Sequence, residues 1–165
     1  MNIDIMIRLL CYVAPFWVIN TVLNIFQFIP FLKKIDFPLD FKLDLQDHRR
    51  ILGNSTTIIG FIVAILTGVI VETVLSTWAI GVIKGLCAYF GHAIGSFIKR
   101  RLGIPDGKFL LFVDHLDYIV LSGIIFYLFR LEELLIIMLS IPMVFIIHPL
   151  LCLIGYKLHL RKNKL

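Results

Sequence analysis

The sequence predicts an all-α, polytopic membrane protein with five transmembrane helices, N-terminus outside and C-terminus in the cytoplasm. Three observations carry this. The 165 residues are 59% hydrophobic and only 16% charged, with a mean hydropathy of +0.95. A soluble domain holds roughly 45–50% apolar and about 25% charged residues. Apolar runs recur at the length a bilayer requires. The basic residues cluster between alternate runs, the signature of loops kept in the cytoplasm. A disordered chain is excluded, because so apolar a composition cannot stay solvated.

Each span follows in order. The first covers about Leu9 to Phe31, interrupted by Pro15 and closing near Pro30. A proline is tolerated inside a span when neighbours re-satisfy the freed carbonyl. The stretch from Thr56 to Ile98 is too long for one crossing, so it is divided into Thr56–Leu75 and Thr77–Ile98 by a turn near Glu72–Ser76. The fourth span runs from about Leu116 to Phe129. After the break Arg130-Leu131-Glu132-Glu133, the fifth runs from Leu134 to about Tyr156. The whole chain, 1–165, is expected to be one integral domain with polar loops at about 33–55 and 99–115.

Five crossings put both loops and the C-terminal tail on one side. That side holds Lys33, Lys34, Lys42, Arg49, Arg50, Lys99, Arg100, Arg101, Lys108, Lys157, Arg161, Lys162 and Lys164, or 13 of the 16 Lys and Arg. The other side keeps Arg8 and Arg130, and Lys84 lies inside a span. The bias gives the orientation and assigns the protein to the plasma membrane with its charged face in the cytoplasm. It also accounts for the net charge of +5 without nucleic acid. Cys11, Cys87 and Cys152 are odd in number and lack metal-ligand spacing, so they read as small buried hydrophobes. The N-terminus lacks the basic region and small-residue site of a cleavable signal.

Three segments could carry chemistry. Asp114-His115-Leu116-Asp117 places two carboxylates on one helical face at the mouth of an apolar span. Acids at membrane depth are expensive and point to function. Paired carboxylates suit Mg²⁺, which takes oxygen ligands and shares itself with substrate phosphates. A helix N-terminus favours acids through its dipole alone, so both readings stand. Ser96-Phe97-Ile98-Lys99-Arg100-Arg101 ends the third span. Three cations there are topology anchors or a phosphate clamp. A short loop joins Arg101 to Asp114. Cations beside carboxylates are the layout of phosphoryl and nucleotidyl transfer. Asp47-His48-Arg49-Arg50-Ile51-Leu52-Gly53-Asn54-Ser55-Thr56-Thr57 adds an Arg pair, a glycine and hydroxyl donors before a helix, against the plainer reading of a solvated loop. His92, about two turns before Lys99, and His148 read first as hydrogen-bonded structure and second as ligands. Glu72 reads as a helix end, and Glu132 and Glu133 as a solvated turn.

Taken together these residues resemble the CDP-archaeol synthase family, small relatives of phosphatidate cytidylyltransferase. Asn20 matches an early asparagine of the family. Pro38-Leu39-Asp40-Phe41 and Asp47-His48-Arg49-Arg50-Ile51-Leu52-Gly53 are similar to its first-loop pattern PIDFG…DGRRILG. Gly60-Phe61 fits the end of its GKTWRGF block. Ser96 to Gly103 is close to its SFIKRRLG, Asp114 to Tyr118 to its DQLDY, and His148 and Tyr156-Lys157-Leu158 to its last span. The resemblance implies transfer of CMP from CTP to an anionic lipid phosphate, an unsaturated archaeal-type phosphatidic acid, with release of pyrophosphate. It implies Mg²⁺, or Mn²⁺, on Asp114 and Asp117, with His92 a third ligand. Lys99 and Arg100 act on the phosphates. Arg49, Arg50, Gly53, Thr56, Thr57, Ser96 and Arg101 bind substrate. Where the family has Lys-Thr-Trp-Arg-Gly this chain has Thr56-Thr57-Ile58-Ile59-Gly60, and where it has Gly-Asp this chain has Gly91-His92. Those changes motivate the alternative of a non-catalytic relative that binds anionic lipid or serves as a subunit of a membrane assembly.

Overall fold

The computed structural model describes residues 2–26, 29, 35–105, 108 and 110–157, the side chains of 111, 112 and 115 excepted. Five helices follow in order: α1 (Ile3–Phe26), α2 (Ile58–Leu75), α3 (Trp78–Arg101), α4 (Leu111–Leu128) and α5 (Leu134–Lys157). Among the described residues there is no strand, only isolated bridges between Pro38 and Thr57 and between Asp44 and Arg50. Four helices are long and apolar enough to cross a membrane, and α4 adds the shorter apolar stretch Leu116–Leu128. The protein is an all-helical, multi-pass membrane protein, as the sequence predicts.

The boundaries differ in instructive ways. α1 begins at Ile3 and carries Pro15 inside it. The expected close at Pro30 and Phe31 lies outside the described residues, as do most of the basic tail and Asp106-Gly107. α2 is capped by Thr57, whose hydroxyl accepts from Gly60 N at 3.1 Å. Thr77 caps α3 in the same way. α4 starts at Leu111, ahead of the expected Leu116, so Asp114 and Asp117 both sit in its first two turns. The Asp114 carboxylate reaches back to accept from Leu110 N at 2.6 Å. An acid there is compatible with the positive end of the helix dipole.

α3 is the central helix, and glycine lets its neighbours approach. A Cβ on Gly81 would come within 2.5 Å of the Gly68 carbonyl oxygen on α2. A Cβ on Gly91 would lie 2.6 Å from the Tyr118 Cα on α4. In lipid, where burial of apolar surface drives little, such close backbone packing is what holds helices together. On the other side of α3 a core of Tyr12, Phe16, Ile19, Tyr89, Ile119 and Phe126 joins α1, α3 and α4.

The two ends of the bundle are built differently. At one end Arg8 on α1 pairs with Glu132 and with Glu133, the latter at 2.9 Å, tying the chain start to the α4–α5 turn. Glu132 and Glu133 are therefore ion-paired and not merely a solvated turn. Glu72 is no simple helix end either. It is buried and pairs with Lys84 at 2.6 Å. At the other end the loop of residues 35–57 folds onto the last turn of α3, beside the start of α4.

Candidate active site

Lys99 on the last turn of α3 donates to the Asp114 carboxylate on α4. Both side chains are largely buried, 9% and 14% exposed. Asp117 follows one turn later on the same helix and faces Gly95, where a Cβ would stand 3.0 Å from its Oδ2. Gly95 thus makes room for this carboxylate. The site therefore brings together one cation and two carboxylates, as the sequence predicts. Among the described residues no three His, Cys, Asp or Glu side chains are arranged to hold a metal ion. His92, half-buried on α3, does not complete a three-ligand set with the two aspartates.

The four arginines, expected as topology anchors or a phosphate clamp, are engaged by protein acceptors in this structure. Arg101 grips the Asp47 carboxylate at 2.6 and 2.7 Å and donates to the backbone carbonyls of Arg49 and Arg50. Arg49 returns the contact, donating to the Arg101 carbonyl at 2.9 Å. Its guanidinium lies over Gly103, where φ is +74° and a Cβ would come within 3.2 Å of Nη1. Arg100 donates to the Leu52 carbonyl at 3.3 Å and to that of Ile104. Arg50 makes a two-pronged pair with Asp40 at 2.6 and 3.1 Å. Arg49, Arg100 and Arg101 clasp the loop to the end of α3, and Arg50 braces the loop from within.

Asp40 is the centre of the loop. Its side chain is fully buried and also accepts from the backbone N–H groups of Leu52, Gly53 and Lys42 at 3.0, 3.2 and 3.1 Å. Burial pushes its carboxyl up, but Arg50 and these three donors outweigh it and hold the group down to about 2. Gly53 provides φ of +111° so that its N–H can reach Asp40. For Asp47 burial again raises, and the Arg101 hydrogen bonds bring the group below the ordinary carboxylate range.

The remaining expected residues make contacts within the protein. Thr56 is fully buried, and its hydroxyl donates to the equally buried Ser96 at 3.4 Å. Thr57 caps α2, and Tyr89 donates to its carbonyl at 2.5 Å. Asn24 donates to the Asn20 carbonyl at 2.8 Å. His148 is buried, and its Nδ1 lies 3.3 Å from the Tyr118 hydroxyl. Sequence reasoning missed Asp40 and Asp47 as partners of the arginines. Their acid–base spacings, ten and 54 residues, match no local periodicity.

A family model described as CarS-like, CDP-archaeol synthase, matches residues 2–78 and 72–164. The chain belongs to the CDP-archaeol synthase family. A CDP-archaeol synthase of Methanopyrus kandleri is 43% identical over 98 residues, 55% of this chain and 57% of its own. One from Saccharolobus solfataricus is 38% identical over 109 residues, 62% of this chain and 65% of its own. One from Sulfurisphaera tokodaii is 31% identical over 139 residues, 80% and 83%. The chain thus spans less than two thirds of the length of the first two relatives. A solved structure, an intramembrane enzyme for archaeal membrane lipids biosynthesis, has the same fold at a TM-score of 0.62. It is 24% identical, with 84% of this chain and 89% of that one covered.

Proposed function

We propose that this CDP-archaeol synthase family member is a CTP-dependent cytidylyltransferase acting on an anionic lipid phosphate. The observation that carries the reading is Lys99 and Asp114, paired beside Asp117 and Gly95 at the loop-bearing end of a membrane bundle. A non-bridging oxygen of the lipid phosphate attacks the α-phosphorus of CTP. A new P–O–P bond forms to the lipid phosphate. The bond between the α-phosphorus and the bridging oxygen breaks, and pyrophosphate leaves with that electron pair. Such chemistry is mostly positioning and charge stabilisation. Lys99 supplies a cation that can pass from Asp114 to a phosphate oxygen.

Two carboxylates one turn apart fit Mg²⁺, which takes one or two carboxylates and fills its shell with water and phosphate oxygens. Asp114 and Asp117 would hold it, and bound there it neutralises phosphate charge. Mn²⁺ fits the same oxygens. The clasp of Arg49, Arg50 and Arg101 positions the loop that bounds the site, with Arg100 bracing it from α3. Gly53, Thr56, Thr57 and Ser96 shape the junction of loop and helix. The lipid in this reading is an archaeal-type unsaturated phosphatidic acid, as the resemblance of the sequence motifs implies. The Lys and Arg bias supports a position of this end at the cytoplasmic face of the plasma membrane, where CTP is available.

One observation favours a second reading. The four guanidinium groups are engaged by protein acceptors, as a non-catalytic lipid-binding relative or assembly subunit would allow. Radiolabelled CTP, given to the purified protein with Mg²⁺ or Mn²⁺ and a panel of phosphatidic acids, separates the two. Label in the lipid, lost in Asp114→Asn, is expected. A folded protein that labels no lipid under any condition would move the assignment to the second reading.

A further inference from the structure

The loop of residues 35–57 reads as polar in sequence, and Lys42, Asp44 and residues 46–49 are exposed, yet its first part also exposes large apolar side chains. Ile35 is 53% exposed, Phe37 60%, Phe41 67% and Leu43 58%. As far as residue 40 the alternates turn inward: Asp36 accepts from Ile59 N at 3.2 Å, Pro38 is buried, and Asp40 is held by Arg50 and three backbone donors, whereas Lys42 is exposed. The backbone is bent to produce this. Phe41 and Lys42 have φ of +49° and +63°, a left-handed pair that L-residues adopt at a steric cost. Asp40 pins the chain inward and the two left-handed residues swing it back out, leaving Phe41 and Leu43 exposed. A patch of this kind marks an interaction surface.

We propose that residues 35–43 are an interfacial anchor, with Ile35, Phe37, Phe41 and Leu43 set into the headgroup–acyl boundary of the leaflet. Two observations identify lipid as the occupant. The first is the level of the loop. The Phe37 carbonyl accepts from Ile58 N at 2.9 Å, the first residue of α2. α2 has 18 residues, about 27 Å of helix against a hydrocarbon core of about 30 Å. Its first turn, and Phe37 with it, therefore lies at the membrane boundary. The second is continuity. Ile62, Leu66, Ile70 and Val74 form an exposed apolar ridge at four-residue spacing along α2, as lipid contact requires, and the loop patch is bonded to the first residue of that helix at Ile58. Apolar groups at this depth insert about 5–10 Å into the boundary. The anchor would hold the clasped loop, and hence the site wall, at the height of lipid phosphates. It rests on the membrane class of the protein and not on the reaction.

The test places a reporter in the loop. Phe41→Trp and Leu43→Trp proteins are reconstituted into phosphatidylcholine vesicles whose lipids carry bromine on the upper acyl carbons. The emission added over the parent, which has Trp17 and Trp78, is recorded. The anchor predicts that this added emission is blue-shifted, loses about half its intensity or more to the brominated lipid, and is little quenched by aqueous acrylamide. Strong acrylamide quenching without bromine quenching would overturn it in favour of a solvated loop. Protection from both quenchers would overturn it in favour of a protein partner or second copy on the patch. CTP turnover does not enter the readout, so failure of the proposed reaction leaves the test intact.

Discussion

Two lysines on α3 each meet a carboxylate, and their surroundings give them opposite roles. Lys84 pairs with Glu72 in the bundle interior, with side chains 4% and 2% exposed. Its ammonium also donates to the Cys11 carbonyl at 2.9 Å and lies 5.5, 5.8 and 5.9 Å from the rings of Tyr12, Phe16 and Phe126. That pair is enclosed by α1, α2, α3 and α4. Lys99 lies 15 residues further on, roughly 22 Å along the helix. Its partner Asp114 also caps α4, a second carboxylate stands one turn away, and a loop forms the wall. An ion pair sealed on all sides fixes helix positions. In the proposed reaction, one at the bundle end, beside a spare acid, frees its carboxylate for a metal and its cation for a phosphate.

Breaking the sealed pair should have the largest effect. Lys84→Met leaves Glu72 buried without its cation, and Glu72→Gln does the converse. Each single change is expected to destabilise by about 3–5 kcal/mol, read as a fall in melting temperature in detergent. The double change Lys84→Met with Glu72→Leu should recover most of the loss, because matched apolar groups replace a matched pair. A double variant as unstable as the singles would show that the charge itself is required. Asp114→Asn, at the other end, should cost about 100-fold or more in CTP turnover, roughly 2.7 kcal/mol of barrier, with a much smaller change in melting temperature. If the unfolding temperature instead fell as far as in Lys84→Met, the two pairs would not differ in kind.

The clasp sharpens the contrast between positioning and binding. If Arg101 acts by holding Asp47, then Arg101→Gln should cost roughly three- to fivefold in turnover in the parent and little in an Asp47→Asn background. Equal losses in both backgrounds would make Arg101 a substrate ligand. The smallest effect is expected from acid. Asp40 sits at about 2 in the fold against 3.8 ordinarily, so its contribution is present above about pH 4 and is lost as pH falls toward 2. Limited proteolysis of residues 41–50 should be constant from pH 8 to 5 with an acid-tolerant protease and quicken below 4. Quickening near neutrality would place the titration elsewhere.

The sequence was most legible where one residue type carries one physical demand. Apolar runs must lie in lipid, so three of the five spans could be read to within three residues, while α1 and α4 begin five or six residues earlier than expected. Asp114 and Asp117 share a helical face by spacing alone, and Lys99 was near enough in the chain to be assigned to the same mouth. The arginines show the opposite case. A cationic run looks the same whether it meets phosphate, lipid headgroups or protein carbonyls. Glu72 and Lys84 each look like a costly isolated charge until the helices bring them together.

The sequence by itself therefore determined the membrane class, the five-helix order, the family and the carboxylate pair. These follow from composition, from local periodicity and from short contiguous motifs. Tertiary structure decided which charges neutralise one another: Arg50 with Asp40, Arg101 with Asp47, Lys84 with Glu72. It also decided that a charged loop exposes Ile35, Phe37, Phe41 and Leu43. Such pairings join residues 10 to 54 positions apart, and they are set by glycine-permitted helix contacts and left-handed loop residues that no charge pattern encodes.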